Sequence, residues 1–246
     1  MNKYLYVILI SFFLHGLVNA QQLKVEYKLN IFPHTYISYF DLVIDDSHSK
    51  WVYKGYEELG EDEESTIQAP SSRQIQFYSS ADAIYYEERL LGRFMKVQDQ
   101  AVGNWQLLVE YDTINGLSCR YATTNFRGRD YRACYSTEIP ISQGPWKFKG
   151  LPGLIIQIKS TDDFVEYTLN SLSASDEENI EKELKNFQKE EFRSFAEFEK
   201  VFINAYDKYI DYLRSNKDPE SLGSFYKIGQ IEIIYPELQT EQGIEY

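Results

Sequence analysis

The chain is expected to fold as α+β, with one mainly antiparallel β-sheet and a helix near the C-terminus packed on it. Three observations carry that expectation. Short segments rich in Tyr, Phe and β-branched residues follow one another from residue 23 to residue 172. The hydrophobic period then lengthens to that of a helix from Phe195 onward. No internal repeat or low-complexity linker divides the chain, so residues 21–246 read as a single domain.

Residues 1–20 read as a secretory signal peptide, with Lys3, an apolar stretch from Tyr4 to Val18 and the small-residue cut Val18-Asn19-Ala20. The apolar stretch is shorter than the roughly 20 residues of a spanning helix. No membrane span is expected in the mature chain. Strands follow at 23–29, 35–44 and around Trp51-Val52-Tyr53. The stretch 55–70 breaks the pattern and holds six carboxylates within 57–64. It lacks the spacing and central Gly of an EF-hand loop and reads as a solvated loop. Strands resume at 73–78, 83–88, 94–97 and 105–111, followed by a hairpin turning near Arg127-Gly128-Arg129. A further hairpin joins 154–160 to 164–172 across Thr161-Asp162-Asp163. The whole reads as one long antiparallel meander.

A short charged helix is expected within 175–188 and the main helix around 195–215. Ser194-Phe195-Ala196-Glu197 is a capping box, and Phe195, Phe198, Val201, Phe202, Ala205, Tyr209 and Leu213 form one apolar stripe. Asn216 and Pro219 end it, 230–234 reads as a last strand, and the tail beyond Pro236 as loose.

One segment stands apart: Gly144-Pro145-Trp146-Lys147-Phe148-Lys149-Gly150-Leu151-Pro152-Gly153, leading into Leu154-Ile155-Ile156. Pro152 followed by Gly153 predicts a type II turn with positive φ at Gly153. Trp146 and Phe148 are expected on one face of an extended stretch, with Lys147 and Lys149 on the other. These residues build a structure rather than supply a catalyst.

The formal charge of −13 argues against nucleic acid as a partner. Against it stands a positive island. Between Cys119 and Gly150 lie Arg120, Arg127, Arg129, Arg132, Lys147 and Lys149, opposed only by Asp130 and Glu138. With Trp146, the bases Arg120, Arg127, Arg129, Arg132 and Lys147 are the candidate binding residues, since Arg offers bidentate donors to carboxylate or phosphate. Internal ion pairing is the competing account of the same charges.

Beyond residue 20 only His34 and His48 remain, neither in a triad or zinc-ligand pattern, and there is no phosphate loop or dinucleotide fingerprint. No metal, cofactor or catalytic residue is expected. Cys119 and Cys134 are a candidate disulfide pair. A hairpin turn centred between Phe126 and Arg127 sets them directly opposite each other. A shift of one position on each strand leaves them diagonal, too far apart for good geometry.

Gly150-Leu151-Pro152-Gly153-Leu154-Ile155 resembles the signature of the GLPGLI family, exported proteins of Bacteroidetes-type bacteria without an assigned function. Ile114-Asn115-Gly116-Leu117-Ser118-Cys119-Arg120-Tyr121-Ala122 and Phe126-Arg127-Gly128-Arg129-Asp130-Tyr131-Arg132-Ala133 resemble two further landmarks of that family, so the likeness covers 105–172. It departs at Leu117, Tyr121 and Cys134, where the family has Tyr, Lys and Trp. The resemblance implies a strongly curved, bowl- or half-barrel-like sheet. It also implies a periplasmic or extracellular protein associated with TonB-dependent receptors. The expected function is therefore non-enzymatic binding of a partner or a small anionic or apolar ligand, with an aromatic concave face and the Arg-rich hairpin at its rim. An envelope hydrolase using two carboxylates and a purely structural scaffold are the alternatives.

Overall fold

The computed structural model describes residues 22–32, 36–45, 47–58, 76–81, 83–90, 92–100, 104–175, 179–216 and Glu232. The expected signal peptide, most of the acidic run, His34, the strand at 230–234 apart from Glu232 and the tail beyond Pro236 lie outside them.

β1 (Gln22–Ile31), β2 (Tyr36–Ile44), β3 (Ser49–Glu58), β4 (Gln76–Ser79), β5 (Ile84–Leu90) and β6 (Arg93–Asp99) pair in succession as an antiparallel meander. β7 (Gln106–Ile114), β8 (Leu117–Phe126), β9 (Arg129–Ser136), β10 (Leu154–Ser160) and β11 (Val165–Ser175) form a second. The meanders join where β1 pairs with β11, from Gln22 opposite Ser175 to Ile31 opposite Val165. A two-residue β12 (Arg193–Ser194) adds in parallel to β6. Among the described residues the result is one open sheet of 12 strands in the order β12-β6-β5-β4-β3-β2-β1-β11-β10-β9-β8-β7. The α+β class is as expected, but the single continuous meander is not. β1, first in its meander, keeps one edge open, and β11 satisfies that edge instead of leaving β6 to pair with β7.

Two tight turns set the register of the second meander. Asn115-Gly116 (φ 52° and 79°) and Arg127-Gly128 (φ 48° and 80°) have positive φ at both central residues, as two-residue hairpin loops of the right twist require. The second pairs Phe126 with Arg129 and Tyr121 with Cys134, so Cys119 lies diagonal to Cys134. They are nevertheless bonded, with Cα atoms 5.5 Å apart. The expectation that a diagonal pair is too distant fails because the right-handed twist of adjacent strands closes one diagonal while opening the other.

The alternation of each strand sends one set of side chains into a common core that includes Val25 and Tyr27 of β1, Leu42 of β2, Trp51 of β3, Tyr131 of β9 and Tyr167 of β11. On the opposite face α1 (Ile180–Phe187) lays Ile180 and Leu184 against Val43 and Tyr78. The second helix, α2 (Phe195–Asn216), closes the core side with Phe198, Phe202 and Tyr206. Its capping box is formed, with Glu197 Oε2 accepting from Ser194 N at 2.8 Å and Ser194 Oγ accepting from Glu197 N at 3.3 Å. Tyr209 and Leu213 of the expected stripe have side chains outside the described ones. No described helix is long and apolar enough to cross a membrane.

The concave side is thus filled. Tyr27, Phe40, Trp51, Tyr131 and Tyr167 are core residues at 7% exposure or less, so the aromatic concave face expected to meet a ligand is packed against the protein itself. The sheet curls until its distant ends meet through side chains, and what they share at that junction is charge.

Candidate functional site

The 17-residue connection between β9 and β10 carries the segment singled out in the sequence, and it plugs the gap between the sheet ends. Its backbone is pinned at both ends. Leu154 N donates to Ile139 O at 2.9 Å and Ile155 N to Gln143 O at 3.0 Å. The expected type II turn is absent. Gly153 N donates to Leu151 O at 2.8 Å, a three-residue turn centred on Pro152. Gly153 is not among the residues with positive φ, whereas Gly150 is, at 98°. Gly153 is required for space: a Cβ there would overlap the Ser136 carbonyl oxygen and lie 2.7 Å from its carbon.

The expected extended alternation across 146–149 also fails. Phe148 N donates to Pro145 O at 3.0 Å, closing a turn that holds Trp146 at φ 55°. Such a conformation costs a bulky residue about 1–2 kcal/mol. Ring packing opposes the cost. Trp146 meets Phe126 and Phe148, and Phe148 also meets Trp105 and Tyr131. The turn drives Lys147 and Phe148 inward together, so Lys147 is 2% exposed rather than facing solvent.

Lys147 Nζ lies 3.0 Å from Tyr86 OH, 2.8 Å from Glu232 Oε1 and 3.3 Å from Asp99 Oδ2. Arg127, at the β8–β9 turn, donates to Asp99 Oδ1 at 2.6 Å and to Glu232 Oε1. Its guanidinium carbon stands 3.0 Å from the centroid of Phe195, the first residue of α2. Tyr86 OH completes the network 3.3 Å from Asp99 Oδ2. Tyr86 comes from β5, Asp99 from β6, Arg127 from the far end of the sheet and Lys147 from the plug. Charges of both signs are thereby desolvated but mutually paired, the condition on which buried ions are tolerated.

Burial, reinforced by the Glu232 and Asp99 carboxylates, pushes the Tyr86 hydroxyl far above the ordinary range, so it stays protonated. Glu88 lies on the same face of β5 as Tyr86, two residues on. Burial raises its pKa, and Glu232 adds to the rise while Lys147 opposes it. An acid that holds its proton more tightly when folded subtracts stability as pH climbs from the unfolded value of 4.5 through the folded one. Glu88→Gln should therefore gain on wild type as pH rises from about 4.5. Urea midpoints at pH 4, 6 and 8 check this, and a difference that shrinks upward contradicts it.

The positive island is dispersed among separate settings. Arg127 and Lys147 enter the cluster just described. Arg129 is 5% exposed, pairs with Asp162 and lies 4.6 Å over the Phe164 ring, where it fastens the β8–β9 turn to the β10–β11 turn. Burial would raise the Asp162 carboxyl. Hydrogen bonds from Ser160 and the Phe164 amide, with the Arg129 charge, bring it below its ordinary value instead. Arg120 and Arg132 lie on opposite faces of the sheet, since Arg120 pairs with Tyr135 and Arg132 with Thr123. Both are exposed, Arg120 5.0 Å over Tyr111 and Arg132 3.9 Å over Tyr121 with Glu110 at 2.5 Å. The six bases do not form one surface. Lys149 is turned to Ser79 Oγ and Ser80 O, at 2.8 and 2.5 Å.

Reversing Arg129 to Glu therefore tests folding rather than binding. It should cost about 3 kcal/mol by setting a buried acid beside Asp162. Arg132→Glu, on the exposed face, should cost about 1 kcal/mol or less. Thermal denaturation of the two variants side by side is the check.

Motif and charge patterns do not single out Tyr86, Glu88, Asp99 or Glu232, yet three of them leave a signal. Ile84, Tyr86, Glu88 and Leu90 share one parity, as do Met95, Val97 and Asp99, so each carboxylate stands in phase with inward apolar residues. An acid in the apolar register must find a partner or keep its proton. Glu232 leaves none. Among the described residues no three His, Cys, Asp or Glu side chains group as metal ligands. The cluster joins two acids to two bases, so its directly paired charges balance.

Residues 69–157 match the family model Porph_ging, described as a protein of unknown function. The span runs through β4 and into β10, and includes the plug with Tyr86, Glu88, Asp99, Arg127 and Lys147. No curated protein matches the chain. Among solved structures it is similar to PNGF-II in the P21 space group, at TM-score 0.50 and 9% identity over 76% of this chain and 34% of that one. PNGF-II in the C2 space group aligns at TM-score 0.48 and 11% identity, over 71% of this chain and 31% of that one. At such identity the first likeness shows the fold alone. This chain corresponds to about a third of the length of that protein.

Proposed function

We propose that this is an exported, non-enzymatic binding protein of the GLPGLI type, an envelope accessory of TonB-dependent uptake. Its binding locus is the charged junction between the sheet ends. The observation that carries this reading is the convergence of two bases, half-buried Arg127 and buried Lys147, on one carboxylate oxygen, Glu232 Oε1. Aromatic packing around Phe148 and the crowded approach at Gly153 hold the plug in place, so the bases are preorganised. The signal-peptide pattern of residues 1–20 and the GLPGLI resemblance support the location and the uptake role.

The test is to purify the protein from its native envelope and weigh it under native and denaturing conditions. A reproducible excess mass in the native state, or co-purified receptor subunits, supports the reading. A bare monomer counts against a tightly held ligand.

A second reading, an envelope hydrolase, is favoured by one observation: Glu88 has a raised pKa and feels the charge of Glu232. An acid with a raised pKa beside a second carboxyl group is the pairing that general acid–base cleavage of glycosidic bonds uses. New reducing ends from envelope polysaccharide, lost in Glu88→Gln, would favour it over binding.

A further inference from the structure

Resting on the binding reading above, we infer that the Arg127–Lys147 cradle is a receptor for a small diffusible monocarboxylate, and that Glu232 is its tethered occupant. The cradle is built without Glu232. Asp99 is set by the β5–β6 ladder, where it pairs with Ile84; it accepts from Arg127 and forms an ion pair with Lys147. Tyr86 comes from the same ladder and accepts from Lys147 at 3.0 Å. Arg127 is fixed by its turn and by Phe195, and Lys147 by the plug.

Charge states the class of ligand. Among the groups in direct contact, two bases against Asp99 leave one positive charge, which one carboxylate neutralises. In the structure Glu232 supplies it, reaching the cradle from beyond α2 and burying itself to 8% exposure. Its contacts with both bases fall on the same oxygen, Oε1. A carboxylate free of the chain can present one oxygen to each base, the bidentate arrangement that charge-assisted donors favour. Depth sets the size. The Lys147 side chain is 1% exposed and Phe195 lies across Arg127, so a small acid fits where a protein surface does not.

Truncating Glu232 to Ala removes the atoms of one acetate ion. The test measures the thermal midpoint of the full chain, wild type and Glu232→Ala, in 100 mM acetate. Acetamide with matched chloride serves as the neutral control. Acetate should raise the variant by about 3–5 °C, the effect of roughly tenfold excess over Kd, with acetamide inert and wild type unmoved. If wild type and variant respond equally, the cradle takes carboxylates but Glu232 does not occupy it, and the inference falls while the binding reading stands. If both are folded and neither responds, the cradle is no carboxylate receptor and both fall. Should the variant fail to fold, its refolding yield in acetate against acetamide replaces the midpoint: acetate-dependent recovery supports the inference, and its absence overturns it.

Discussion

Lys147→Met lowers the stability of the protein by about 3–5 kcal/mol, the cost of removing one partner from a buried ionic group. Met keeps the length of the side chain and most of its packing, so the loss reports charge rather than a cavity. The Asp99 and Glu232 side chains are 3% and 9% exposed and would keep Arg127 as their one cation in the cluster. Tyr86 OH loses the donor at 3.0 Å. Urea unfolding of the single variant measures the loss. Adding Glu232→Gln in the same chain should restore more than half of it, because one base then faces one acid. A restored double variant and a damaged single one separate electrostatic frustration from poor packing; equal damage in both contradicts the charge argument. If the neutral quadruple Arg127→Met, Lys147→Met, Asp99→Asn, Glu232→Gln equals wild type, the ions are not needed for the fold. A binding role then accounts better for their presence.

The strands of this protein were legible because the backbone alternates faces with every residue. Val25, Tyr27 and Leu29 mark an inward row in any context. Ser194 and Glu197 were legible as a cap because a capping box is satisfied within four residues. Beside the local turns at Trp146 and Gly153, what failed were statements about partners far away in the chain. Nothing within β1 says that its open edge will take β11, more than a hundred residues later, since ladder hydrogen bonds are made by a backbone common to all residues.

The site failed in a related way. Its bases, Arg127 and Lys147 among them, are visible in the sequence as a count of charge. Yet charge along a sequence does not tell a buried ammonium from a solvated one, and the turn that places Trp146 at positive φ reversed the expected direction of Lys147. Arg129 shows the same limit. Read as a rim residue, it is a fastener between two turns, because its partner Asp162 is on another hairpin. The inward acids Glu88 and Asp99 were open to detection by parity, and that remains the most useful signal for a buried charged site in a β-protein.

Gly153→Ala is expected to cost about 3 kcal/mol or more, and the pattern of substitutions there distinguishes two reasons for a glycine. Had the residue been needed for positive φ, Asn would replace it with modest loss, since Asn tolerates the left-handed region far better than Ala. The obstacle is steric. The added Cβ overlaps the Ser136 carbonyl oxygen and approaches Thr137 N to 3.1 Å, and backbone cannot rotate away as a side chain can. Gly153→Asn adds the same Cβ and must fail as badly as Gly153→Ala. Gly116 supplies the contrast: it has φ 79° with nothing within 4 Å of a built Cβ, so Gly116→Asn should be mild and Gly116→Ala worse. Thermal denaturation of the four variants decides the matter. If Gly153→Asn proves much milder than Gly153→Ala, the reason is torsional and the close approach between β10 and the end of β9 is not what demands glycine. If the two fall together, the signature glycine is a spacer that lets the plug seat on β9, and through that seat it carries Lys147 to the junction of the sheet.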